Sequence, residues 1–219
     1  MNLAFNLNDT DVSLSITSVI VAGWTGRNAD AVQHHIDELA AIGIAPPSKV
    51  PLFYRVSDGL LTQTREIEVL GEATSGEVEP LLIRSNGKTY FGLASDHTDR
   101  DLEAHSVAAS KQACAKPVAS ELWNYDSIKD HLDDIKLSCW MEIDDTEVLY
   151  QEGTLASIRP LAELCDDAGF GEGSAMLCGT LGAIGGVRPA NKYRMTVTDP
   201  VLSKTMQLSY SVSTLPIVS

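Results

Sequence analysis

Glu77-Val78-Glu79 and Asp96 are the residues whose types and spacing point first to chemistry. Residues i and i+2 of a strand face the same side, so Glu77 and Glu79 present two carboxylates together, and Asp96, ending the next strand-like run, can add a third. Three carboxylates at one point repel one another unless a cation sits among them, and oxygen-only ligands select Mg²⁺, Mn²⁺ or Ca²⁺ over zinc. The same spacing also fits a half-exposed strand with a solvated acidic face. A second group is His34-His35-Ile36-Asp37-Glu38. On a helix His35 and Glu38 lie roughly 60° apart on one side, the arrangement of a general base oriented by a carboxylate, while Asp37 points away. An ordinary surface pair of His34 with Glu38 or Asp37 is the alternative. A third is the run Gly179-Thr180-Leu181-Gly182-Ala183-Ile184-Gly185-Gly186-Val187. Its glycines let backbone approach a ligand or simply turn tightly. No GKS or GKT follows, which excludes a phosphate loop, and no helix signal follows, which excludes a dinucleotide fold.

The elements that must carry these residues are mostly short strands. Val12–Thr17 alternates polar and apolar residues and runs into Ser18–Gly23, which reads as one strand ending at glycine. Apolar Val32, Ile36, Leu39 and Ile42 at helical spacing predict a helix over 28–42, with Asn28 or Asp30 as N-cap and Gly43 as stop. Strand-like runs follow at 50–56, 66–70, 78–83 and 89–94, with turn signals at Ser57-Asp58-Gly59 and Ser85-Asn86-Gly87. Residues 101–115 and 127–134 read as helix; 136–143, 147–150, 175–180, 193–198 and 205–212 read as strand. Many strands with few helices between them imply a β-rich α+β fold in a single domain over 1–219.

Composition limits the partners. The 219 residues hold 16 Lys and Arg against 30 Asp and Glu, a formal charge of −14, which repels phosphate backbones and anionic lipid, so nucleic acid and membrane partners are not expected. A hydrophobic fraction of 44% supports a packed core rather than disorder. The N-terminal stretch resembles neither a signal peptide nor a membrane span, and Cys114, Cys139, Cys165 and Cys178 stand singly, so a cytoplasmic protein with reduced, mostly buried thiols is expected. The acidic stretch 130–147 reads as solvated surface.

Taken in order, several segments resemble the fumarylacetoacetate hydrolase family. They are Ile20-Val21-Ala22-Gly23, His35-Ile36-Asp37-Glu38-Leu39, Pro51-Leu52-Phe53-Tyr54-Arg55, Gly76-Glu77-Val78-Glu79, Ser95-Asp96-His97-Thr98-Asp99-Arg100-Asp101-Leu102, Lys111, Tyr150-Gln151-Glu152-Gly153 and Gly179-Thr180. The most specific part is the ExE strand followed by Asp-x-x-x-Arg-Asp-Leu. The resemblance implies the β-rich mixed-sheet roll of that family's C-terminal domain, with 24–45 as a lid and helix segment, and a homodimer. It implies Glu77, Glu79 and Asp96 as ligands of Mg²⁺ or Mn²⁺, His35 as the group that activates water, Glu38 as its orienting partner, and Lys111 as a charge-balancing catalytic lysine. Arg55, Gln151, Gly179 and Thr180 are implied substrate contacts. The activity implied is hydrolysis of a C–C bond in an acylpyruvate-like or other 2,4-dioxo acid. Decarboxylases, hydratases and isomerases of 2-oxo acids use the same fold, and a non-catalytic member that binds a small molecule or cation is the rival from another class. The loop reads Gly-Thr-Leu-Gly where relatives carry Gly-Thr-Pro-x-Gly, and the lid segment reads Thr25-Gly26-Arg27-Asn28 where they carry Asn-Tyr.

Overall fold

The structure, a computed structural model, describes residues 1–41 and 46–218, with the side chains of His35, Glu38 and Leu39 outside the description. Its strands are β1 (Asn2–Leu7), β2 (Thr10–Ser15), β3 (Ser18–Gly23), β4 (Leu52–Val56), β5 (Leu61–Thr62), β6 (Glu66–Leu70), β7 (Thr74–Ser75), β8 (Val78–Ser85), β9 (Lys88–Ser95), β10 (Thr98–Asp99), β11 (Lys116–Pro117), β12 (Glu121–Asn124), β13 (Lys136–Ile143), β14 (Thr146–Thr154), β15 (Ser174–Leu177), β16 (Lys192–Asp199) and β17 (Lys204–Leu215). The helices are α1 (Ala29–Ala41), α2 (Arg100–Glu103), α3 (Val107–Ala113) and α4 (Leu161–Ala168). Among the described residues an eight-stranded mixed sheet runs β2-β1-β12-β9-β8-β15-β3-β4, and a five-stranded sheet runs β14-β13-β16-β17-β6. This is the β-rich α+β architecture expected.

Strand β8 is central and buried on both faces, the pattern of a strand covered on either side. Val78 and Leu82 join a core with Ile20, Phe91, Leu93 and, from the five-stranded sheet, Leu137, Met195, Val197 and Leu208. Leu81 and Ile83 face the other way, into a second core with Phe5, Leu14, Val19, Val21, Ala94 and Leu177, closed by the curl of the large sheet. Each fully buried Leu or Phe contributes about 2 kcal/mol relative to exposure, so the strands that carry the acids are held firmly from both sides. The β8–β9 hairpin turns at Asn86-Gly87, both in left-handed conformation (φ 53° and 72°), as that dipeptide requires.

Several boundaries differ from the sequence reading. The first strand is really two, β2 and β3, broken at Ile16-Thr17, where Ile16 bonds back to Met1 and Thr17 to Gly173. β1, β12 and α4 were not anticipated. The helix expected over 101–115 is α2 and α3, because Ser106 caps a new helix by accepting from Ala109 N–H at 3.2 Å. Residues 129–134 form 3-10 rather than α turns. Asn28 does cap α1, its Oδ1 accepting from Ala31 N–H at 3.1 Å; the expected stop at Gly43 lies outside the described residues. Cys114, Cys139 and Cys178 are buried thiols and Cys165 is half-buried. Within 130–147, Ile135, Leu137, Cys139 and Met141 are core residues, so only part of this stretch is surface.

Candidate metal centre

Glu79 faces the same side of β8 as Leu81 and Ile83 and stands opposite Ala94 of β9. One step outside the ladder, Asp96 N–H donates to the carbonyl of Glu77 at 3.0 Å, so Glu77 and Asp96 are cross-strand neighbours on that same face. The three side chains each offer one carboxylate oxygen, and these oxygens lie within 4.8 Å of one another. Glu79 and Asp96 are buried and Glu77 keeps 14% of its side-chain exposure.

Three cations ring this cluster. Arg100 Nη2 lies 3.1 Å from Glu77 Oε1, while its Nε donates to Ser75 Oγ at 2.7 Å and its Nη1 to Glu103 at 2.8 Å. Lys111, from the last turn of α3, is in tight contact with Asp96 Oδ2. Lys116, fully buried on β11, stands 3.0 Å from Asp96 Oδ1 and also donates to the carbonyl of His97. The acids respond differently. Burial alone would raise Asp96, yet Lys111 and Lys116 hold it well below the ordinary carboxylate range. Burial, and then repulsion by Asp96, pushes Glu79 well above that range. Glu77 is raised by burial, offset in part by Arg100 and Lys111.

This donor set fits a hard divalent ion. It is all oxygen, Glu79 has a peptide N–H but, among the described residues, no cation paired with it, and Asp96 Oδ1 is buried without a well-aligned hydrogen bond.

The glycine-rich loop holds β8, the strand of Glu79. β15 pairs with β8, so the chain leaving β15 passes beside Glu79, and Gly179 N–H donates to Glu79 Oε2 at 2.8 Å. Gly179 has φ +98°, and a side chain there would overlap Thr25. Thr180 Oγ1 donates to Val78 O at 2.8 Å. Gln151 is fully buried; its Oε1 accepts from Val78 N–H at 2.9 Å, and its Nε2 donates to Thr180 Oγ1 at 2.8 Å and Leu181 O at 2.7 Å. Behind Asp96, His97 is wedged between Tyr210 Oη (3.0 Å) and Thr74 Oγ1 (2.9 Å). Burial, then Lys116 and Arg100, push its pKa down to about 3, so this imidazole is neutral.

Of the residues singled out from sequence, the structure brings Glu77, Glu79, Asp96, Lys111 and Gly179 together. Gln151 and the Thr180 hydroxyl proton are committed to Val78 and the loop, so both residues position β8. Arg55 is not brought to the cluster. Its Nη2 donates to Ala168 O at 2.8 Å, capping the end of α4, and Arg55 pairs with Ile20, level with Leu82 across β15. Three inter-strand spacings and three residues of ladder separate it from Glu79, roughly 17 Å at standard spacings. The side chains of His35 and Glu38 lie outside the described residues; their backbone belongs to α1. The entry to α1 is fixed near the cluster. Arg27 makes two bonds to Asp133 (2.6 and 2.7 Å) and one to Ile158 O, Thr25 abuts Gly179, and Trp24 Nε1 donates to Tyr54 Oη, whose ring lies 5.8 Å from the Lys111 ammonium. Sequence reasoning missed Lys116 and gave Arg100 no role. A solitary charge in Ala113-Cys114-Ala115-Lys116-Pro117-Val118-Ala119 was the available signal for a buried, paired lysine.

A family model described as "Protein of unknown function (DUF2848)" matches residues 22–210. The chain belongs to this family. No curated protein matches this DUF2848 chain. Solved structures do. It resembles fumarylpyruvate hydrolase from Pseudomonas aeruginosa, in complex with Mn²⁺ and pyruvate, at 14% identity and TM-score 0.61, over 98% of this chain and 97% of that one. It resembles maleylpyruvate hydrolase from Sphingobium sp. SYK-6, in complex with manganese(II) and pyruvate, at 15% identity and TM-score 0.61, over 90% and 70%. It also resembles a 2-keto-3-deoxy-D-arabinonate dehydratase complexed with magnesium and 2,5-dioxopentanoate, at 15% identity and TM-score 0.65, over 97% and 79%. At such identities the likeness establishes the fold, which is that of the fumarylacetoacetate hydrolase family.

Proposed function

We propose that this chain is a divalent-metal-dependent enzyme that hydrolyses a C–C bond in an acylpyruvate-like or other 2,4-dioxo acid. The observation that carries this reading is the convergence of Glu77, Glu79 and Asp96 beside a buried lysine. These three would hold Mg²⁺ or Mn²⁺, the ions named in the structural neighbours. Once bound, the ion would supply Lewis acidity to the oxygens of the oxo acid and offset negative charge developing as the bond breaks. Lys111, facing all three carboxylates, balances charge on the leaving oxo acid. His35 takes a proton from the attacking water and Glu38 orients the imidazole, so that hydroxide adds to the acyl carbon, the C–C bond breaks and the leaving enolate takes up a proton at carbon, giving a carboxylic acid and a 2-oxo acid. The anchored turn at 24–28 supports a role for 24–45 as a lid over the site. The same reading has one domain over 1–219, a homodimer and a cytoplasmic location; among the described residues no helix is long and apolar enough to cross a membrane.

The test is turnover of a panel of 2,4-dioxo acids with Mg²⁺ or Mn²⁺, comparing wild type with Glu77→Ala and His35→Ala. Both variants are expected to lose at least about a thousandfold in kcat/KM, about 4 kcal/mol of transition-state stabilisation. Unchanged rates in both, with metal still raising Tm, would assign the chain to non-catalytic binding. The dehydratase among the neighbours favours a second reading, a dehydratase or decarboxylase of 2-oxo acids. It gains if His35→Ala abolishes hydrolysis and spares oxaloacetate decarboxylation.

A further inference from the structure

We infer that Lys116 makes the centre take up its metal ion together with the anionic oxo acid rather than ahead of it. The inference rests on the metal reading above and adds a rule for how the site fills. Three fixed cations face this cluster, Arg100 shared between Glu77 and Glu103, and Lys111 and Lys116 both on Asp96. Much of the cluster's negative charge is therefore already offset, and each oxygen of Asp96 faces its own ammonium. A divalent ion entering alone must add two positive charges beside the two ammonium groups already seated on Asp96. An oxo acid arriving with it offsets that charge, so each ligand strengthens the other.

The two lysines differ in how they can yield. Lys111 keeps 8% of its side-chain exposure at the edge of the site. Lys116 has none and is tied to the His97 carbonyl as well as to Asp96, so its charge stays in place whichever ligand binds. Lys116 is thus a positioning residue for Asp96 and a permanent opposing charge. A purely structural lysine predicts weaker metal binding when it is removed; an opposing charge predicts tighter binding.

The experiment measures Mn²⁺ affinity by the electron paramagnetic resonance signal of free Mn²⁺, with and without oxalate, in wild type, Lys116→Met, Lys116→Gln and Lys116→Arg. In wild type, oxalate is expected to tighten Mn²⁺ binding at least about tenfold. Lys116→Met and Lys116→Gln should bind Mn²⁺ alone at least about tenfold more tightly than wild type and show a smaller effect of oxalate. Lys116→Arg should keep the wild-type pattern. The inference is overturned if either neutral variant binds Mn²⁺ no more tightly than wild type. Lys116→Gln keeps a donor toward His97 and decides the matter if Lys116→Met does not fold. Wild type alone overturns it if oxalate leaves Mn²⁺ affinity unchanged. Wild type that binds no Mn²⁺ under either condition sinks the metal reading itself, and this inference with it.

Discussion

Gly179→Ala should damage both the fold and the metal centre, through two separable effects. The backbone at Gly179 has φ +98°, where a residue with a Cβ is strained by about 1–3 kcal/mol. The added methyl also overlaps Thr25 Oγ1 and would lie 2.8 Å from Thr25 Cβ. Thr25 has little room to retreat: it is buried, its carbonyl accepts from Arg159 N–H at 2.8 Å, and the next two residues are bonded to Ile158 and Ser157. Strain and overlap together should cost roughly 3–5 kcal/mol, the size of a severe core lesion. Any relaxation that relieves the overlap moves the 179 N–H away from Glu79, loosening a proposed metal ligand, and Mn²⁺ affinity should fall about tenfold, or 1.4 kcal/mol. Urea unfolding and Mn²⁺ titration measure the two effects. Thr25→Gly in the same chain should recover the overlap but not the φ strain, leaving a deficit of about 1–3 kcal/mol. A Gly179→Ala protein within about 0.5 kcal/mol of wild type and with unchanged Mn²⁺ affinity would refute the reasoning.

Two further outcomes follow from the buried ionisable groups. His97 is held neutral, with a pKa of about 3 against an ordinary 6.5, so the unfolded chain binds a proton that the native state refuses; the stability concerned is complete above about pH 6.5 and is lost as pH falls toward 3. Between pH 7.5 and 5.0, wild type should lose about 2 kcal/mol more than His97→Asn by denaturant unfolding, and equal losses would contradict the neutral imidazole. Glu79 has the opposite sign. Its native pKa is raised, so the folded state binds more protons and stability declines as pH climbs above the ordinary carboxylate range through the raised value. Glu79→Gln should therefore raise the Tm of the metal-free protein near neutral pH while abolishing the rise produced by Mn²⁺; a lowered metal-free Tm would show that the Glu79 carboxylate stabilises the fold.

The acid cluster was legible because it is made of local rules. Alternation put Glu77 and Glu79 on one face, the Asn86-Gly87 turn fixed the hairpin register, and that register set Asp96 beside Glu77. The Asp-x-x-x-Arg-Asp-Leu stretch also divides along these lines: Asp96 faces the other acids, Asp99 accepts from Leu102 N–H at 2.9 Å to cap α2, and Arg100 pairs with Glu77. What was not legible depended on long-range placement. Arg55 looked like a carboxylate anchor, yet β4 is the far edge of the sheet and its guanidinium ends on α4. Helix α4 had a signal in Leu161, Leu164 and Ala168 at helical spacing and in Gly169, which takes the left-handed cap (φ 64°). β1 buries only Phe5 of its six residues, too weak a pattern to separate from a loop. A lysine is ordinarily a surface residue, and only the fold places Asp96 against Lys116.

The central claim is that Glu77, Glu79 and Asp96 hold a divalent ion at a site that receives an oxo acid. Crystals grown with Mn²⁺ and oxalate test it directly by anomalous diffraction at the manganese edge. The account predicts one strong peak bonded to an oxygen from each of the three carboxylates, with oxalate chelating the same ion on the side facing Lys111. A cluster with no anomalous peak, the Lys111 and Lys116 ammonium groups still seated on Asp96 and oxalate absent, would contradict it.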